Sequence, residues 1–481
     1  MPTPSSARAA NPALAVVALC LGGLTAALTQ TLVIPIQSEL PRLLGTSAAN
    51  AAWVVTITLL SAAVAMPIAG RLADLFGKQR VLMVSDGILV VGSLVCALSD
   101  TLTPMLVGRA LQGLAMGFIP VGISLLREIT PPHMAGSAVA AMSATLGVGG
   151  AIGLPLSAWI ADVADWHALF WVATGLSVVI LALVRLGVPH VHDAQPGRFD
   201  VLGGIGLAIG LVSLLVGISK ATTWGWGDAR TLGSIAAGVL VLLAWGFFEL
   251  RQADPLVDLR ATAQRPVLLT NLAAVAIGFG MMAQSIVVPQ LLQLPEATGY
   301  GLGQSILAAG LWMAPAGLMM MVFAPVSSRL MGTLGAKVTL MIGAGVLGVG
   351  YLVAVFLMGA PWQLLLASCV SSAGVGIGYA AMPTLIMDAV PAREAASAVG
   401  LNALTRSVGT TLAAAVMGTL LTSNTQAFGG LELPTETAFT LCFVAGAAAA
   451  FVGVAITAAI PRRRAELVRV GSLRPEAADA R

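Results

Sequence analysis

Stretches of about twenty mostly apolar residues recur fourteen times along this 481-residue chain, separated by short polar segments. They lie near 13–36, 50–70, 80–98, 103–126, 135–159 and 168–187, then 200–219 and 232–250, and finally 267–292, 303–325, 335–358, 361–388, 396–422 and 437–460. A backbone placed in lipid must satisfy its own N–H and C=O groups, and within a single segment only a helix does so. The pattern therefore predicts an all-α integral membrane protein with 14 transmembrane helices. The first run exceeds the roughly 7–15 residues of a signal-peptide core, so it reads as a retained helix.

Composition closes off other classes. Only 9% of residues are charged, against about 25% in soluble domains, which excludes a water-soluble enzyme. The net charge of +3 gives no reason to expect a nucleic-acid partner. Cys20, Cys96, Cys369 and Cys442 lie inside apolar runs without metal-ligand spacing, and read as packing residues. No GxxxxGKS/T loop is present to cradle ATP, and no HExxH or ordered nucleophile–His–acid set appears. His190 and His192 form one H-x-H pair in a linker, where a solvated pair is the simpler reading than a metal site.

The loop charges orient the chain. With both termini cytoplasmic, only Arg42, Lys220 and Arg230 among the basic residues fall in external loops. Arg109 and Arg406 fall within spans, and the others cluster inside, including the C-terminal PRRRAELVRVGSLR. The opposite topology would invert the positive-inside bias. The external KATTWGWGDAR reads as an aromatic interface anchor.

An internal repeat organises the runs. QTLVIP at Gln30–Pro35 recurs as QSIVVP at Gln284–Pro289. Pro67, Arg71, Leu72 and Gly77 recur at the same spacing as Pro325, Arg329, Leu330 and Gly335. PPHMAGSAVAAMSATLGVG, from Pro131, has a counterpart beginning near Pro391. The pairs link the first run with the ninth, the second-to-third loop with the tenth-to-eleventh, and the fifth run with the thirteenth. Two six-helix halves with a two-helix insert between them account for the offsets. Parallel repeats about an axis along the membrane normal place a substrate site at their interface. The resulting division is 1–190 for the N-terminal half, 191–265 for the linker and insert, 266–461 for the C-terminal half, and 462–481 for a cytoplasmic tail.

Three motifs carry a resemblance. GRLADLFGKQRVL, Gly70 to Leu82, resembles the signature loop of the major facilitator superfamily through Gly70, Leu72, Asp74, Gly77, Lys78 and Leu82, with Leu75 in place of a basic residue. Its two glycines permit a tight turn, and its carboxylate is free to pair with Lys78 or Arg80 and to face a helix N-terminus. LVGRALQGLAMG resembles the family's fourth-helix signature through Leu106 (one residue early), Arg109, Gln112, Gly113 and Gly117. GVGGAIGLPLSAW resembles the antiporter signature: Gly149 and Gly153 keep the close-packing spacing, while Pro155 comes one position late and Ser157–Ala158 replace a glycine pair.

The resemblance is to the fourteen-helix drug/proton antiporter branch and implies a major facilitator fold. It further implies a proton-driven exporter of lipophilic small molecules in the bacterial plasma membrane, working as a monomer among membrane lipids, with the proton gradient as energy source and no cofactor. Proton-coupled uptake of a nutrient by the same fold stays open. A membrane-integral enzyme or lipid-handling protein is remote, since no extended polar loop carries a catalytic set. By resemblance Gly70, Asp74, Gly77, Lys78 and Arg80 form a conformational latch, which Gly332 in the Asp74-equivalent position leaves asymmetric. Arg109 belongs to proton coupling, with Asp86 as the candidate carrier; an interfacial Arg and a loop ion pair are the plainer alternatives. The branch's first-helix acid is absent, its place taken by Ala26. Gln30, Gln284, Gln112, Asn402 and Arg406 are candidates for the cavity wall, with Trp312, Met313 and the run Met319–Met321 for apolar contact. Helix–helix packing is the competing reading for Gln30, Gln284, Trp312 and the methionines, and a structural ion pair for Arg406 with its neighbour Asn402.

Overall fold

The computed structural model describes residues 12–461 apart from 35, 38, 190–196 and 429–430. The H-x-H pair, Pro35 of the first repeat and the basic tail thus lie outside the described residues. Twelve described segments are long and apolar enough to cross a membrane, and a bent pair adds a thirteenth. One of the twelve, Ile306–Phe356, runs through a non-helical Gly335 and so comprises two helices. The arrangement is consistent with fourteen crossings. These are α1 (Pro12–Thr31), α2 (Trp53–Phe76), α3 (Lys78–Ala97), α4 (Leu102–Ile129), α5 (Pro132–Val163), α6 (His167–Gly187), α7 (Val201–Trp224) and α8 (Ala229–Glu249). They continue with α9 (Arg265–Gln293), α10 (306–334), α11 (336–356), α12 (Pro361–Ala389), α13 (Ala395–Ser423) and α14 (Glu436–Ala458).

Local chemistry sets several of these boundaries. Asp200, Asp228, Ser305 and Thr435 accept a first-turn backbone N–H at the starts of α7, α8, α10 and α14, satisfying donors the helix itself leaves open. Gly77 (φ 94°) separates α2 from α3, and Gly335 (φ 82°) separates α10 from α11. Both hold a left-handed conformation that strains any residue with a Cβ, and they are the repeat-related glycines. The halves also match where α4 breaks at the 3₁₀ turn Ala115–Gly117 and α12 breaks at Tyr379–Ala380.

Three features depart from the sequence expectation. The helix α2 runs past the end of its apolar stretch and carries Arg71 and Asp74 in its last turns, because that end packs against α13 instead of entering water. Lys220 lies inside α7 and not in an external loop, its ammonium 4.7 Å from the ring centre of Trp53, a cation–π contact that offsets burial. A short antiparallel hairpin, β1 (Thr425–Phe428) and β2 (Leu431–Pro434), joins α13 to α14. Tyr300 accepts a hydrogen bond from Gln426 at 3.0 Å and donates one to the Pro434 carbonyl, seating the hairpin on the α9–α10 loop.

The apolar core shows how the halves meet. One cluster runs through the N-terminal half and on into α12 and α13, through Ile386, Met387, Ala396 and Val399, at the end carrying the Gly70–Leu82 loop. At the opposite end the cluster containing Leu32, Val54 and Phe170 belongs to the N-terminal half alone. The insert bridges the halves: Leu207, Leu211 and Leu215 of α7 pack with Leu60 and Ala63 of α2 and Leu404 of α13. The outer insert helix, α8, presents Leu240, Leu243 and Phe247 outward.

Candidate transport site

A cavity of about 840 Å³ lies between the halves. Its wall reaches from Leu146 of α5 and Met320 of α10 to Pro41, Gln293 and Ile306, at the end opposite the Gly70–Leu82 loop. Glycines let the surrounding helices approach: a Cβ on Gly149 or Gly153 would collide with Ala27 or Thr31 of α1, and one on Gly147 would enter Met320 across the interface. The bend of 40° in α5 falls between Gly150 and Pro155, and Pro155 itself lines the cavity, as a proline inside a helix breaks the local hydrogen-bond ladder.

The other end is shut. Asp74, 2% exposed, accepts hydrogen bonds from the backbone N–H of Ser397 at 2.8 Å and of Ala396 at 3.2 Å, at the start of α13. A carboxylate at a helix N-terminus meets both open donors and the positive end of the helix dipole. A Cβ on Gly70 would strike the Ala396 carbonyl, and one on Gly400 would strike that of Met66, so α2 and α13 touch backbone to backbone. Lys78 donates to Glu128 at 2.8 Å, tying α3 to the end of α4, while Arg80 is exposed. Nearby, Arg127 of α4 pairs with Asp388 of α12, a second link between the halves. The loop following α8 also enters this seam: Leu256 is fully buried, its carbonyl facing Ser397 Oγ at 3.4 Å, and Glu249 accepts from Val257 N at 2.7 Å.

Arg109 is buried within the N-terminal half at 1% exposure. Its guanidinium donates to the carbonyl of Val54 at 3.1 Å, to that of Thr29 at 2.9 Å and to Gln112 Oε1 at 2.7 Å. Gln112 in turn donates to Ser93 Oγ at 2.9 Å. One side chain thus joins α4 to α1 and α2, and through Gln112 to α3. Asp86, two turns before Ser93 on α3, is 2% exposed and its Oδ2 has no hydrogen-bond partner.

The residues expected on the cavity wall are divided by the structure. Gln284 and Met313 line it. Gln112 is turned into the Arg109 network. Asn402 donates to Asn271 of α9 at 2.9 Å, and Arg406 lies over the ring of Tyr379 at 4.3 Å, both inside the C-terminal half. Trp312 donates to Gln304 at 3.1 Å in the loop before α10. Gln30 sits beside the wall residue Thr31 without itself lining the cavity. For Gln112, Asn402, Arg406 and Trp312 a packed neighbour offers a hydrogen bond or ring face that the cavity does not. Sequence reasoning did not find Ser397, Arg127, Asn271 and Tyr379, whose partners lie on other helices; Met320, within the Met319–Met321 run named for apolar contact, lines the cavity.

Two pseudo-symmetric helical halves around a cavity closed at one end define a polytopic membrane transporter. The chain belongs to the Major Facilitator Superfamily, whose family profile matches residues 19–414. It is 30% identical over 359 residues to an uncharacterized MFS-type transporter of Mycobacterium tuberculosis, covering 73% of this chain and 51% of that protein. The chain thus spans about half the length of that relative. It is likewise 30% identical over 433 residues to the tetracenomycin C resistance and export protein of Streptomyces glaucescens, covering 88% and 78%. The fold is similar to that of the human organic anion transporter MFSD10 (TETRAN), with a TM-score of 0.65, 14% identity and coverage of 93% and 99%.

Proposed function

We propose that the protein exports small molecules across the bacterial plasma membrane in exchange for protons, by alternating access of the central cavity. The observation that carries this reading is the pairing of a cavity reaching one face with a seam shut at the other by Asp74 on the first turn of α13. With both termini in the cytoplasm, as the basic loops favour, the cavity faces outward and the latch faces the cytoplasm. The likeness to a resistance and export protein favours outward movement of substrate. Asp86 takes and releases the proton, since its unpartnered oxygen lies where an ionised carboxylate is expensive. Arg109 transmits that change by moving with the carbonyls of α1 and α2 that it holds. The energy source is the proton gradient, with no cofactor, and one chain suffices.

Inside-out vesicles holding a respiration-driven proton gradient, read by a pH-sensitive dye, test this. Addition of neutral, zwitterionic and cationic antibiotics is expected to trigger a proton leak in vesicles carrying the wild-type protein. Asp86→Asn and Arg109→Ala proteins, inserted at equal level, are expected to lower that leak at least tenfold. A wild-type protein that answers no compound in the panel would remove the export reading.

A further inference from the structure

The wall of the cavity carries no Asp, Glu, Lys, Arg or His among its described residues, and no aromatic side chain. Its polar groups are amides and hydroxyls, chief among them Gln37, Gln284 and Gln293. Its soft surface is four thioethers, Met281, Met282, Met313 and Met320. We propose that this cavity takes uncharged aromatic molecules with hydrogen-bonding groups at their edges, and that, with no group shared between substrate and proton, their exchange is electrogenic because the substrate carries no charge to offset that of the proton.

The chemistry excludes the alternatives in turn. A cation drawn from water into this cavity would meet neither a carboxylate nor a ring face, the two features that repay its desolvation. An anion would need Arg109 or Arg406, but the first is engaged by carbonyls and Gln112, and the second lies against Tyr379. A planar neutral ring suits the methionines, whose flexible polarizable side chains make favourable contacts with aromatics and adapt to shape. Gln284 is poised to serve a polar edge. Its Nε2 reaches Ser368 O at 3.4 Å and Ser372 Oγ at 3.5 Å, the long limit for a hydrogen bond, so little is lost when the amide turns to a ligand. The cavity volume lies within the range of roughly 300–1,000 Å³ that holds drug-sized molecules. Each uncharged molecule leaving against entering protons moves net positive charge inward, so membrane potential alone drives the cycle. This inference rests on the export reading for the direction of movement; the selectivity of binding does not.

Acridone and 9-aminoacridine make a matched test, being tricycles of one shape, the first uncharged with one N–H and one carbonyl, the second a cation. Equilibrium dialysis against the purified full-length protein is expected to show acridone binding at least tenfold more tightly. Its affinity should stay level between about pH 6 and pH 8, whereas competition with a proton for one group would change it tenfold per pH unit. Gln284→Glu should reverse the preference towards 9-aminoacridine and introduce a pH dependence. Equal or tighter binding of 9-aminoacridine by the wild type, failure of acridone to bind, or an unchanged preference in Q284E would each overturn the assignment. In proteoliposomes, an imposed membrane potential without a pH gradient should move acridone; a requirement for the pH gradient would overturn the electrogenic part. Acridone bound as expected but moved by no gradient would sink proton-coupled export and leave the substrate class standing. Proton-driven movement of 9-aminoacridine alone would do the reverse.

Discussion

At the scale of single residues, Asp74 does the work that most depends on where it sits. Hydrogen bonds to a charged group contribute about 1.5–3 kcal/mol each, and about 1.4 kcal/mol is a tenfold change in an equilibrium. Asp74→Asn keeps the shape and one acceptor but loses the charge facing the α13 N-terminus. It should shift the balance between closed and open seams by roughly tenfold. Spin labels at the exposed positions Phe76 and Arg393 would report this as a larger long-distance population; an unchanged distribution would remove Asp74 from the latch. Its importance was legible because the loop around it has a local pattern. The same holds for Arg109, a cation inside an apolar run. Ser397 was not legible in this way. Its significance lies in a partner 323 positions distant, and residue type does not say which face of a helix a side chain occupies.

Among elements, the insert is the informative one. Sequence length alone revealed two extra helices, but not that they differ in kind. In α7, Leu211 is 4% exposed and packs between the halves, whereas in α8, Leu240 is 66% exposed. Leu211→Ala should therefore lower stability by about 2 kcal/mol or more, while Leu240→Ala should leave it unchanged. Thermal unfolding in detergent reads both; equal losses would mean that α8 packs as α7 does. Helix number was legible because lipid enforces one length. Helix ends were less so, since α2 and α7 extend into polar sequence wherever a protein partner replaces water. The β1–β2 hairpin escaped notice because four-residue strands carry too little periodicity.

For the whole molecule, two kinds of fastening close the seam at the Gly70–Leu82 end. The Arg127–Asp388 pair is about one-third exposed on each side, and such pairs contribute roughly 0–1 kcal/mol. Arg127→Ala alone should open the seam less than Asp74→Asn does, and the double variant should exceed either, as seen by the same spin-label distances. An Arg127→Ala protein as open as Asp74→Asn would make the ion pair the principal fastening. Because Asp74 holds on to main-chain N–H groups, its partner is insensitive to which side chains occupy positions 396 and 397. Replacement by another small residue, which the fully buried Ala396 requires, leaves both hydrogen bonds intact, with one exception. Proline has no N–H to offer, yet the first turn of a helix accepts it, so a codon change to proline at either position would remove one of the two hydrogen bonds while sparing the helix. The lock thus accepts any small residue that keeps its N–H on one side and almost no change on the other, so its tolerance to mutation is as lopsided as its geometry.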